Sequence, residues 1–173
     1  IVNSLPHDFS TEGDYTMGFE ASDDVSGWST QNYNDDGGIW TLQGTTSPRT
    51  GSNAAIYNYS PTNAADDWMF TPCLSLESGE DYIIDFNYPV SSATFPESFD
   101  FHLNTGADNA SVSSTLLSLS NITNTTYAQF LDTITAASTG SFYFAWEATS
   151  TANEFNLIID DFSVSKLAAL DAG

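Results

Sequence analysis

The chain has 173 residues, 40% hydrophobic and 14% aromatic, with 23 acidic residues against two Lys or Arg. That is enough for one domain with its own core, and too apolar for a disordered acidic tail. A formal net charge of −21 argues against nucleic-acid backbones and anionic membranes as partners, because like charges repel at the encounter.

In chain order, residues 1–13 read as an irregular lead. Tyr15, Met17 and Phe19 alternate within Asp14–Glu20 and predict the first strand. Asp23-Asp24 begins a turn, and Gly27-Trp28 opens a second extended segment. Asn34-Asp35-Asp36-Gly37-Gly38 is a turn cluster, followed by a strand over Ile39–Leu42. Residues 44–52 form a loop with Pro48 and Arg49, and Ala54–Tyr59 is a strand. The stretch Asp66-Asp67-Trp68-Met69-Phe70-Thr71-Pro72 places Trp68 and Phe70 on one face, as if for the core, with the two acids capping or pinning a loop. Leu74 and Leu76 share a face, as do Tyr82, Ile84, Phe86 and Tyr88 in the longest alternating run.

The later part repeats this pattern. Phe99, Phe101 and Leu103 share a face opposite Asp100, His102 and Asn104. One short helical turn is expected in Asp108–Ser114, then extended segments over Leu116–Ile122 and Tyr127–Ala136. Phe142, Phe144 and Trp146 alternate, and Phe155–Val164 closes the series. Roughly ten strands, almost no helix and evenly spaced turns predict an all-β sandwich or barrel. The domain is expected over 14–166, with 167–173 as a linker or tail. Both ends read as cut points in a longer polypeptide, so neighbouring domains of the same chain are expected partners. No apolar run reaches membrane-spanning length, so membrane insertion is not expected. Cys73 stands alone, which rules out an intramolecular disulfide, and reads as a small buried residue.

Two formal side-chain cations, Arg49 and Lys166, cannot neutralise the carboxylates. Salt, backbone N–H groups and bound divalent cations remain. Within the last strand Leu157 and Ile159 set one parity, and Phe162 and Val164 the other. That phase change predicts a β-bulge at Asp160-Asp161. Two acids at a bulge face solvent, accept backbone hydrogen bonds or ligate calcium, Asp160 foremost for the last. Glu20 and Asp35 are the other candidates, although the Asp35 turn lacks the twelfth-position carboxylate of an EF-hand loop.

Catalysis is not expected. The only histidines, His7 and His102, have no nucleophile beside them in sequence, and no Gly-x-Ser-x-Gly, His-Glu-x-x-His or phosphate loop occurs. Glu147 and Asp100 are the one pair considered for glycoside hydrolysis. Among the aromatics most belong to the core. Tyr57, Tyr59 and Tyr143 are the rings expected at the surface, where sugar C–H faces stack on them.

Several of these pieces together resemble the cleaved-adhesin family, jelly-roll modules of secreted Bacteroidetes proteins akin to choice-of-anchor and MAM-like domains. They are Gly18-Phe19-Glu20, Gly27-Trp28-Ser29, the turn running into Trp40, Asp67–Pro72, Glu97–Gly106, Phe142–Trp146 and Ile159–Val164. The resemblance implies an antiparallel two-sheet β-sandwich of jelly-roll topology, structural calcium held by Glu20, Asp35 and Asp160, and a secreted or cell-surface location. It implies attachment to glycans or to surface and matrix proteins, with no activity of its own. The turn here is shorter in acids than the family's fuller Asp-x-Asp-Gly series. A ligand-free spacer is the rival expectation, and a glycan-active enzyme the third.

Overall fold

The computed structural model describes residues 5–168. Its elements are β1 (His7–Asp8), α1 (Phe9–Glu12), β2 (Tyr15–Met17), β3 (Ser29–Asn32), β4 (Ile39–Gly44), β5 (Ala54–Asn58), β6 (Asp67–Phe70), β7 (Leu74–Leu76), β8 (Asp81–Tyr88), β9 (Glu97–Asn104), β10 (Val112–Ile122), β11 (Ala128–Thr135), β12 (Gly140–Ala148) and β13 (Asn156–Lys166). A 3₁₀ turn at Asn109–Ser111 fills the place predicted for a short helix. The lead is not wholly irregular. His7–Asp8 pairs in parallel with β7, and the one-turn α1 is capped by the Asp8 side chain. Positions 1–4 and 169–173, which include most of the expected tail, lie outside the described residues.

The strands form a two-sheet β-sandwich with jelly-roll topology, antiparallel apart from the β1–β7 pair. One sheet has seven strands and the other six. In the first, β12 pairs with β9 along one edge. Its other edge meets β7 through Gly140–Phe142 and β6 through Ala145–Ala148. In the second, β13 pairs with β8 on one edge. Its other edge meets β5 in its first half and β2 in its second. Each long strand thus serves two shorter ones, which is how thirteen strands occupy the space of the roughly ten expected.

Alternation decides which rings fill the space between the sheets. Phe86 and Phe162 come from the six-stranded sheet, Phe101 and Trp146 from the other. Ring centroids lie 4.8 Å apart for Phe86–Phe101, 4.7 Å for Phe101–Trp146 and 5.0 Å for Trp146–Phe162. All four are essentially fully buried, and burial of each such ring contributes about 1.5–3 kcal/mol. Trp68 and Phe70 do not join them. They lie on the outer face of the seven-stranded sheet in a separate cluster with Ala145, and Met69 between them faces the core.

The phase change in β13 is a bulge. Asp160 faces Asn87 and Ser163 faces Asp85, so β13 carries one extra residue, and Asp161 has φ +52°. A second irregularity falls between Thr41 and Gly44, where a Cβ on Gly44 would stand 2.2 Å from Ile56 Cδ1. Gly44→Ala is therefore expected to cost about 1–3 kcal/mol through overpacking, read as a lower urea midpoint. An unchanged midpoint would contradict this packing.

Candidate functional site

Two carboxylates grip one loop. Segment 45–53, between β4 and β5, crosses the outer face of the six-stranded sheet. Asp160 Oδ2 accepts the Arg49 N–H at 2.7 Å and the Thr50 N–H at 3.3 Å, and its Oδ1 accepts the Asp161 N–H at 2.8 Å. Asp161 holds the same loop through Arg49 Nη1 at 2.8 Å and Thr50 Oγ1 at 2.6 Å. Further along, the Glu20 carboxylate accepts the N–H groups of Ser52 at 3.0 Å and Asn53 at 3.3 Å. Gly51, at φ +60°, is needed there because a Cβ would lie 2.1 Å from Glu20 Oε1. Both acids neighbour left-handed backbone, Phe19 at φ +57° and Asp161 at φ +52°. A bulky residue adopts that conformation only when the surroundings impose it. Phe19 is fully buried against Trp28, and this anchors Glu20. Burial, and then the neighbouring Asp161, pushes the Asp160 carboxyl up to about 6 against the opposing pull of its backbone donors.

Glu20 and Asp160 therefore bind the same loop, each through backbone N–H groups, while Asp35 does not join them. It is exposed, with φ +51°, in the turn before β4. Gln43 near the far end of β4 donates to the Glu20 carbonyl. The strand between Ile39 and Gln43 spans roughly 13 Å at about 3.3 Å per residue, too far for one ion. Glu20 and Asp160 are the acids at this loop, and their oxygens already accept N–H groups, so a cation there would use their remaining lone pairs. Calcium suits such an oxygen-only set, completed by carbonyls and water.

A second acidic site lies at the opposite end of β4. Asp67 shares parity with Met69, so its side chain points between the sheets rather than capping a loop. It is fully buried, and burial followed by Asp36 pushes its carboxyl up to about 6. Beside it are Asp36, Asn32 and the Tyr57 hydroxyl. Tyr57 is thus not the surface ring expected from sequence. It is 1% exposed, packs on Trp40 at 5.8 Å, and burial raises its hydroxyl above the usual phenol range. The error has a cause: β5 is covered on both faces, so its alternation marks no solvent side.

The outer face of the seven-stranded sheet carries a mixed patch. Trp68 stacks on Phe70 at 5.6 Å and on His102 at 5.0 Å. His102 Nε2 lies 3.1 Å from Glu147 Oε2, and its Nδ1 3.0 Å from Thr115 Oγ1. Asp100, His102 and Glu147 offer ligand atoms within 4.8 Å of one another. Segment 105–111 folds over part of this face, with Ala107 against the rings and the Asn109 N–H donating to Tyr33 Oη at 3.1 Å. Tyr143, on the same face, is half-buried, and burial and Cys73 raise its hydroxyl. Cys73 is itself half-buried rather than fully enclosed.

At the end of the sandwich where β9 begins, three rings stand in a row. Tyr59 stacks on Phe155 at 5.5 Å and 23°, and Phe155 on Phe95 at 5.7 Å and 24°. Phe155 is 39% and Phe95 37% exposed. Sequence reasoning found Tyr59 and missed the two phenylalanines. Phe95 sits in a polar loop that no alternation marks, and Phe155, read as the start of the last strand, lies just before β13; only the fold brings the three rings to one place.

A scan against protein-family models finds no match, and a search of curated proteins finds none. Solved structures do match. The K3 cleaved adhesin domain of Lys-gingipain from Porphyromonas gingivalis aligns with a TM-score of 0.68 at 18% identity, over 80% of this chain and 89% of that one. The K1 cleaved adhesin domain of the same protein gives 0.68 at 16%, over 90% and 99%. The CBM22-1 xylan-binding domain of Paenibacillus barcinonensis Xyn10C gives 0.62 at 13%, over 90% and 94%. The likeness is one of fold. At these identities it extends to the jelly-roll architecture and no further.

Proposed function

We propose that this domain is a non-catalytic recognition module of a larger secreted or cell-surface protein, an adhesin or carbohydrate-binding domain stabilised by calcium. The observation that carries the reading is the stacked row Tyr59, Phe155 and Phe95, in which Phe155 and Phe95 are exposed and the partly buried Tyr59 ties them to the main core. Exposed apolar patches mark interaction sites. Sugar C–H faces pack on rings of this kind, while surrounding hydroxyls and amides serve the sugar oxygens. The fold supports the reading by association, since its neighbours are adhesin domains and a xylan-binding domain. Surface or matrix proteins are the other partner class the row would suit. Tyr143 on the sheet face is a second, separate contact ring. In this reading Glu20 and Asp160 hold the calcium, and Asp35 is left out.

A glycan array and affinity electrophoresis against xylan and related polysaccharides test the glycan arm. Binding to at least one polysaccharide is expected, with Phe155→Ala and Tyr59→Ala each weakening it about tenfold, the worth of one well-placed ring contact. A blank array at high protein concentration would favour a ligand-free spacer. Asp100 and Glu147 present oxygens no more than 4.8 Å apart, closer than the spacing of about 5–5.5 Å for the carboxyl pair in retaining glycosidases. Polysaccharide hydrolysis abolished by Glu147→Gln would replace the recognition reading with an enzymatic one.

A further inference from the structure

Asp67 is fully buried, and neither of its side-chain oxygens has a hydrogen-bond partner. Asn32 sits opposite it in the β3–β6 pairing, and its Oδ1 is buried and unpartnered as well. Asn32 Nδ2 is already committed to the Gly38 carbonyl at 2.8 Å. Neither formal cation of the chain comes near. Arg49 pairs with Asp161, and Lys166 with Glu77 and Glu80. The Tyr57 hydroxyl and the Asp66 N–H lie near enough to favour the ionised form, yet neither completes a hydrogen bond to Asp67, and a buried carboxylate with no counter-charge is costly.

The surrounding oxygens converge. The point where a Cβ on Gly38 would stand is 3.0 Å from Asp36 Oδ1, 3.0 Å from Tyr57 Oη and 3.2 Å from Asp67 Oδ2. The two acids come from different elements, Asp67 from β6 in one sheet and Asp36 from the turn that crosses to the other. Tyr57 reaches in from β5 of that second sheet. We propose that Asp36, Asp67 and Asn32 Oδ1, beside the Tyr57 hydroxyl, form a second divalent-cation site of the calcium class that staples the β3–β4 crossover to both sheets. The set is oxygen-only, with two carboxylates, an amide oxygen and room for carbonyls or water, which suits a hard cation and not zinc. Gly38 is the residue that leaves the space open. This site is separate from the Glu20–Asp160 loop, and neither depends on the other.

Terbium luminescence on chelator-treated protein tests it, because Tyr57 borders the site and Trp40 Nε1 donates to the Asp67 carbonyl at 3.1 Å. Sensitised emission is expected, displaced by excess calcium. Asp67→Asn should abolish the contribution of this site and Asp36→Asn should weaken it about tenfold. Gly38→Ala keeps every ligand but fills the space, and should also abolish it with the fold intact by circular dichroism. Run in a Glu20→Gln background, the same three changes isolate this site, so its failure and that of the Glu20–Asp160 reading are told apart. Emission and calcium affinity unchanged by both Asp67→Asn and Gly38→Ala would overturn the proposal. So would an Asp67→Asn protein with an unaltered calcium response and a raised melting midpoint, the mark of a simply protonated acid.

Discussion

In the presence of a chelator the domain is expected to melt at a lower temperature at pH 7.5 than at pH 4.5. Asp67 and Asp160 are fully buried, and burial pushes each carboxyl from 3.8 to about 6. Burial raises Glu97 in the same direction. A raised carboxyl means that the folded chain holds the proton more tightly than the unfolded one. Below about pH 3.8 both states are protonated and the group contributes nothing. Between about 3.8 and 6 the unfolded chain ionises first, and stability falls. Above about 6 the loss is complete, at about 3 kcal/mol for each of the two carboxyls. For a chain of this size each kcal/mol is worth about 2–4 °C, so the midpoint should drop by about 10 °C or more across the window. Asp8 and Asp24, whose carboxyls are lowered by their serine partners, act in the opposite sense but below pH 3.8, outside it. A midpoint that is flat or rises from pH 4.5 to 7.5 in chelator would show that these acids are not held as described.

Calcium should reverse that trend, and this is the second large effect expected. At pH 7.5 and 10 mM calcium, a site of extracellular affinity, about 10⁻⁴ M, stabilises by about 2.7 kcal/mol. That corresponds to a rise of about 5–10 °C over the chelated protein. Asp160→Asn should shrink the calcium response by removing a ligand, and should also lower the chelated midpoint at pH 7.5, because the amide NH2 replaces an oxygen that accepts a backbone N–H. Glu20→Gln should likewise reduce the calcium response. Differential scanning calorimetry at both pH values reads all of this. Identical midpoints with calcium and with chelator would remove the metal from the account.

Much of the architecture was legible because strands advertise themselves with a period of two. Tyr82, Ile84 and Phe86 are buried as the alternation requires, and so are Phe99 and Phe101, and Phe144 and Trp146. The broken parity in the last strand marks the bulge at Asp160-Asp161 from sequence alone. Alternation failed where both faces of a strand are covered. Tyr57 was misplaced for that reason, since Ala54, Ile56 and Ile158 form a second apolar cluster on the outer side of β5. Trp68 and Phe70 read from sequence as main-core rings, because a ring stacked on an outer sheet face has the same local pattern as one turned inward. Asp67 carried a usable signal, its parity with Met69, but an acid beside another acid reads first as a cap.

The acidic sites show the same division more sharply. Sequence alone established a cation-poor, aromatic-rich chain whose strands must pair into sheets, and it selected Glu20 and Asp160 as acids worth following. It had no means of choosing Asp36 over Asp35, because the two differ only in which way one turn directs them, with Asp35 at φ +51°. Nor could it join Asp36 to Asp67, or Tyr59 to Phe95 and Phe155. Local periodicity specifies which side of a strand is apolar. Which distant side chains share a few ångströms depends on how the two sheets are laid over each other and where their crossovers land, and that was decided only by tertiary packing.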